Sequence, residues 1–433
     1  MISRRKFLIG NSLCFTSMVP GAVLAQGSSS LREQTGVGQR FRILAKSELS
    51  GAMVSRPENP NEQVQKIQLR GESIFDFDET IIALNASGEV IRTLRNYRTA
   101  WMKRDLNQSV QEIRLREKLR QLVMVRKEIR EIAFSPEEPL LWEEVDLLQT
   151  EVFPSALTGM LSKGSSEMQA FWKPDQSSLL ELTDLESISS QDVKCRFESR
   201  GLINNRSIAR VSFQGAVAGM HEDGPNKQLL DGYLFFDMDS KHISFMQMKG
   251  TSILLGKNGE EVGRIEGRFT LHRDLLPAVA VSAELVASTV PVPANTRFLF
   301  QNQGIPYSFL YPRAWKITNI QGAQVALEHP QGASLLVAGL DTKVTDVHSY
   351  RKQAKDYFLN LKARVDEESP VQALSSNWST FGWQVANGQV REYYQYYFKI
   401  GPKPFSVALR WGNSKTDLRE DARLIALAIQ ATV

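Results

Sequence analysis

Asp237, Asp239 and His242 stand within six residues of one another, and carboxylates with an imidazole are donors that hard and borderline cations accept together. Asp and Ser are also what a hairpin turn requires, and the turn explains Asp237-Met238-Asp239-Ser240 without a metal. Asp76 and Asp78 alternate onto one strand face, where a carboxylate pair suits acid/base work or simply a solvated surface. Ser349 and Lys352 have the S-x-x-K spacing that lets a lysine activate a serine, yet no companion motif accompanies them, so a helix surface accounts for both. Cys195, flanked by Lys194 and Arg196 in an alternating run, reads as a small buried hydrophobe rather than a nucleophile. The run Gly250 to Lys257 approaches a phosphate-binding loop but separates its glycines by five residues and puts Asn258 where Ser or Thr would hold magnesium. HExxH, CxxC, GxSxG and GxGxxG are absent from the sequence. These residues predict no catalytic centre, no metal and no cofactor.

Aromatic side chains offer contact instead of reaction. Tyr393, Tyr394, Tyr396, Tyr397 and Phe398 crowd one strand, and alternation puts Tyr394, Tyr396 and Phe398 on one face and Tyr393 and Tyr397 on the other. One set builds a core, which leaves Tyr393 and Tyr397 as candidates for a ligand or partner. In the first half, Val211, Phe213, Phe235 and Phe245 are candidates to point inward from a curved sheet and line an apolar cavity.

The chain has 433 residues, 42% of them hydrophobic and 23% charged, enough for two or three domains with real cores. Its first residues contain Ser3-Arg4-Arg5-Lys6-Phe7-Leu8, a weakly apolar stretch and a Val23-Leu24-Ala25 exit. They resemble a twin-arginine export signal cleaved after Ala25, with the twin-arginine translocase as partner in export. Asn11, Ser12, Thr16 and Ser17 break the apolar segment, so no permanent transmembrane anchor is expected. Residues 1–25 hold three basic groups and no acid, so the basic count falls from 52 to 49 against 48 acids. A mature charge of +1 excludes a dedicated nucleic-acid binder. The signal also removes Cys14, which leaves Cys195 alone without a disulfide partner. Exported, in the periplasm or outside the cell, is the expected location.

Turn chemistry sets the elements. After a flexible lead over 26–39, a β domain spans 40–274, and its clearest part is a meander of strands divided at Gly201 to Asn205, Glu222 to Asn226, Asp239 to Lys241 and Gly256 to Gly259. Short helices are expected at Leu141 to Leu148 and Ser177 to Leu185, covering one face or end of the sheet. Pro277, Pro291 and Pro293 mark a Pro/Ala/Val linker over 275–296, and a second domain of strands and helices fills 297–433. The fold class read from this is α+β.

By analogy the first domain looks like the half-barrels of periplasmic lipoprotein carriers, a mostly antiparallel curved sheet. The Tyr311-Pro312-x-x-Trp315 element, a strand pair, a helix, a hairpin and a terminal helix make the second domain resemble the PsbP-like fold, an α/β sandwich. Across Glu137 to Leu148, Ser177 to Ile188, Asp231 to Asp237 and Arg264 to Phe269, the chain is similar to a family of exported bacterial proteins that brings no assigned activity. The resemblances support the domain layout and export, while the absent catalytic motifs, the near-neutral mature charge and β-rich domains suited to presenting faces favour a non-enzymatic binding or assembly protein of the cell envelope, with an envelope protein or a lipid as partner. A carrier of an apolar ligand in the first domain and an enzyme with a dispersed site are the alternatives.

Overall fold

The computed structural model describes residues 29–55, 65–127, 130–222, 224–341, 346–387, 390–412 and 418–431. The signal residues, including Ser3, Arg4, Arg5, Phe7, Leu8, Val23 and Ala25, lie outside them. The chain divides into two compact units, one of residues 1–138 and 143–291, the other of 139–142 and 292–433.

The first unit is one large antiparallel sheet. Its path begins at Phe171–Trp172 and runs through Lys194–Ile203, Arg206–His221, Gly224–Asp237, His242–Leu255 and Glu261–Leu276. There it joins Arg40–Ser55 and continues through Gln65–Leu84, Val90–Leu106, Gln121–Lys127 and Arg130–Phe134. Alternation assigns the faces: Ala209, Val211 and Phe213 point the same way as Leu234, Phe236, Met246, Met248, Phe269 and Leu271, all of them buried. This inner face is covered by helix Trp142–Leu148, the 3₁₀ stretch Pro154–Met160 and helix Gln176–Thr183, whose Leu147, Leu148, Leu157, Met160, Leu179 and Leu182 are fully buried.

The second unit holds a seven-stranded antiparallel sheet in the order Lys316–Gln321, Gln324–Glu328, Ser334–Gly339, Phe405–Trp411, Val390–Lys399, Trp378–Asn387 and Arg364–Ala373. Helix Val347–Asn360 packs Val347 and Phe358 into a cluster with Phe381, Trp383, Tyr396 and Phe398. Helix Arg419–Leu427 buries Ala422 and Ile425, and its Asp421 accepts a 2.9 Å hydrogen bond from buried Trp315 Nε1.

The α+β class, with a half-barrel-like first domain and a PsbP-like sandwich second, is thereby corrected. The protein is mostly antiparallel β, 57% strand against 14% helix, in several sheets, and among the described residues none closes into a barrel. The amphipathic stretches that suggested α+β do form helices, but helices of 7 to 14 residues beside strands of up to 20 cover sheet faces without making a layer of their own. Two further expectations change. Residues 29–39 are no flexible lead: Ser29–Ser30 pairs with Ser165–Ser166, Leu31 is buried, and Gly38 N donates to Ile81 O at 2.8 Å. Within the expected linker, helix Ala283–Ser288 is capped by Ser282, and Val281, Leu285 and Val286 pack on Ile82, Leu94, Val123 and Phe134.

Candidate functional site

Inner and solvent faces of the first unit's sheet differ in kind. On the inner face, apolar packing surrounds a buried ionic cluster. Arg95 lies between Glu79 (Nε to Oε2, 2.9 Å) and Glu151 (Nη1 to Oε2, 3.0 Å), and Tyr97 Oη donates to Glu151 at 2.9 Å. The guanidinium sits 4.7 Å above the Phe77 ring and 5.2 Å from that of Phe153. Glu151 and Phe153 follow the first cap helix, so the cluster fastens the cap to the sheet. Beside it Arg126 meets Glu181 at 2.6 Å, and Glu181 also accepts from Phe153 N at 2.7 Å. Burial pushes the Glu151 carboxyl up to about 8 against the opposing pull of Arg95. With Arg95 and Glu79 at 0% exposure, no substrate reaches this cluster. One pocket of about 60 Å³ lies beside Leu49, Leu182, Leu230 and Met248.

The solvent face is open. Tyr233, Phe235 and Phe245 form a cluster with ring centroids 5.3 to 5.8 Å apart, His272 sits 4.8 Å from Phe245, and Arg210 lies 4.4 Å above Tyr233. Two residues further along the same strands, a groove of about 680 Å³ is lined by Gln214, Asp231, Lys249, Thr251, Glu266 and Arg268. Its floor is a register row of Gly215, Leu230, Gly250 and Gly267. At Gly215, φ is +151° and a Cβ would come within 2.5 Å of Val193 Cα, so glycine is required there for conformation and for close approach. Asp231 stands opposite Lys249, Lys249 opposite Arg268, and Arg268 opposite Glu48, so two bases lie between two acids across the groove. The arrangement presents aromatic area beside directional polar groups, which suits recognition.

The candidate residues separate accordingly. Val211 and Phe213 are inward core residues, whereas Phe235 and Phe245 lie on the opposite, solvent face, which corrects their inward assignment. Tyr397 is 4% exposed and donates to Arg419 O at 2.7 Å under the terminal helix, so it belongs to the core; Tyr393 stacks on Trp411 at 5.4 Å. Asp237 Oδ1 accepts from Asp239 N and Ser240 N, Asp239 Oδ2 from Ser207 N, and the His242 ring bridges Ser240 Oγ and Arg273 O, so these side chains hold the turn. Asp78 takes both Arg98 Nη groups at 2.9 Å and Asp76 takes Arg42 at 2.7 Å, an ion-pair array on the solvent face. Cys195 is fully buried, its thiol pushed up to about 12 by that burial.

No protein-family model and no curated protein matches the chain. Among solved structures it is similar to MucB in complex with MucA(peri), at 10% identity over 91% of this chain and 94% of that one, with a TM-score of 0.16. OccK11 (OpdR) of Pseudomonas aeruginosa follows at 9% identity over 89% and 98% with a TM-score of 0.11. The TodX monoaromatic hydrocarbon channel follows at 8% over 88% and 91% with a TM-score of 0.08. Likenesses at these scores carry no argument about function.

Proposed function

We propose that this chain is an exported binding or assembly protein of the cell envelope that engages a protein partner through the solvent face of its first unit and performs no catalysis. The observation that supports this reading is the union of the Tyr233–Phe235–Phe245 cluster with the adjoining groove, apolar rings beside acids and bases on one open face. The carrier reading needs an inner cavity of several hundred Å³, whereas the pocket beside Leu49, Leu182 and Met248 is about 60 Å³. Native mass spectrometry of the chain purified from its own envelope tests the proposal. A co-purifying protein that is lost in the F235S/F245S variant supports it, and a bound lipid retained by that variant contradicts it.

Export through the twin-arginine route belongs to the same proposal and has its own test. Replacing Arg4 and Arg5 together by Lys leaves uncleaved precursor in the cytoplasm while a general secretory reporter exports normally. Maturation of the double-Lys variant at the usual rate contradicts the route.

A further inference from the structure

The hairpin joining Lys194–Ile203 to Arg206–His221 ends in an unusual way. Ile203 pairs with Arg206 across Asn204 and Asn205, whose φ of 50° and 64° makes a two-residue turn of the kind that suits strand twist. The ladder to the next strand stops at Ile208 opposite Asp237, and on the other side Phe171–Trp172 pairs only with Arg196 and Cys195. Residues 202–206 therefore overhang the sheet.

Successive strand residues point to opposite faces, so Leu202 and Ile203 project from both sides of the overhang, 63% and 40% exposed. The apolar residues that precede the turns at 85–88, 239–241 and 256–259, Leu84, Met238 and Leu255, are buried or half-buried instead. The aliphatic pair is also ringed by cations. Arg200 and Arg206 flank it, both exposed; Arg200 Nε donates to Ser207 Oγ at 3.1 Å, and Arg206 is 3.8 Å from Asp237, which is buried. Asp239, the other nearby acid, accepts from Ser207 N, and Lys241 follows in the adjoining turn.

A narrow tip, apolar on both faces and basic at its base, has no flat surface for a protein to cover but matches a lipid headgroup layer, where acyl chains receive the aliphatics and phosphates the guanidiniums. We propose that the Leu202–Ile203 tip is an interfacial anchor that enters the surface of an anionic membrane.

Flotation with vesicles tests it, using the full chain expressed with its own first residues. The chain is expected to float with vesicles containing phosphatidylglycerol and to remain below with phosphatidylcholine alone. L202S/I203S lowers the bound fraction at least roughly tenfold, and R200Q and R206Q each lower it roughly fivefold, less at high salt. Both tip residues are exposed, so melting of L202S/I203S stays that of the unaltered chain and separates anchoring from folding. Absence of flotation, or equal flotation of L202S/I203S, overturns the proposal, as does a tip variant that loses a co-purifying protein while floating unchanged. The inference does not rest on the partner surface proposed above: F235S/F245S floats like the unaltered chain.

Discussion

The two faces of the first unit's sheet are made by the same strands and meet opposite fates. One is sealed by the chain's own helices around Arg95, Glu79 and Glu151; the other carries three half-buried aromatic rings and an open charged groove. In the second unit, helix Val347–Asn360 packs on Phe381, Trp383 and Phe398, while Tyr397, on the alternate face, bonds to the backbone of the terminal segment at Arg419. The contrast teaches that aromatic content alone does not mark a contact surface in this chain. The tyrosine-rich strand, with the densest run of rings, is packed by its own unit, whereas the sparser rings at 233, 235 and 245 are left open.

The largest effects belong to the sealed face. Arg95→Ala strands Glu79 without its cation and is expected to lower stability by about 3–5 kcal/mol, and Phe213→Ala by about as much through the cavity it leaves. Thermal or denaturant melts of the first unit's transition measure both. Phe245→Ala, on the open face, is expected to cost less than about 1.5 kcal/mol, so equal losses at 213 and 245 break the comparison.

The pH response comes next. Glu151 is raised in the folded state from the ordinary carboxylate range to about 8, so the folded chain holds this proton more tightly than the unfolded chain. Its stabilising contribution is fully present below about 4.5, falls as pH rises through the window up to about 8, and is absent above it, with a slope of at most about 1.4 kcal/mol per pH unit. Glu33, buried against Arg273, is shifted the same way by burial and adds to the decline. Glu151→Gln fixes the neutral state and is expected to flatten the stability profile across this window. An unchanged slope in that variant contradicts the assignment. The smallest effect is expected at the partly exposed Tyr393–Trp411 stack: Tyr393→Ala is expected to lower stability by about 1 kcal/mol.

Much of the strand order was legible because turn residues punctuate it. Asn204-Asn205, Asp239-Ser240-Lys241 and Gly256 to Gly259 all fall at hairpin ends. Which face a residue occupies was less legible. Leu234, Phe235 and Phe236 are successive apolar residues, so alternation within that strand fits either face, and only the register of Val211 opposite Leu234 puts Phe235 outward. The ionic cluster left no local signature, since Tyr97 and Glu151 are 54 residues apart and charged residues in strands ordinarily face water. The glycine row under the groove was hidden for the same reason: Gly215, Gly250 and Gly267 become neighbours only through three successive strand pairings.

The central claim, that the solvent face is the binding face, is tested most directly by site-specific photo-crosslinking in the native envelope. A photoactivatable residue replaces Gln247, between the aromatic cluster and the groove, or Ser177, exposed on the cap. The account predicts a discrete protein adduct from position 247 and none from position 177; an adduct from 177 alone, or from neither position, contradicts it.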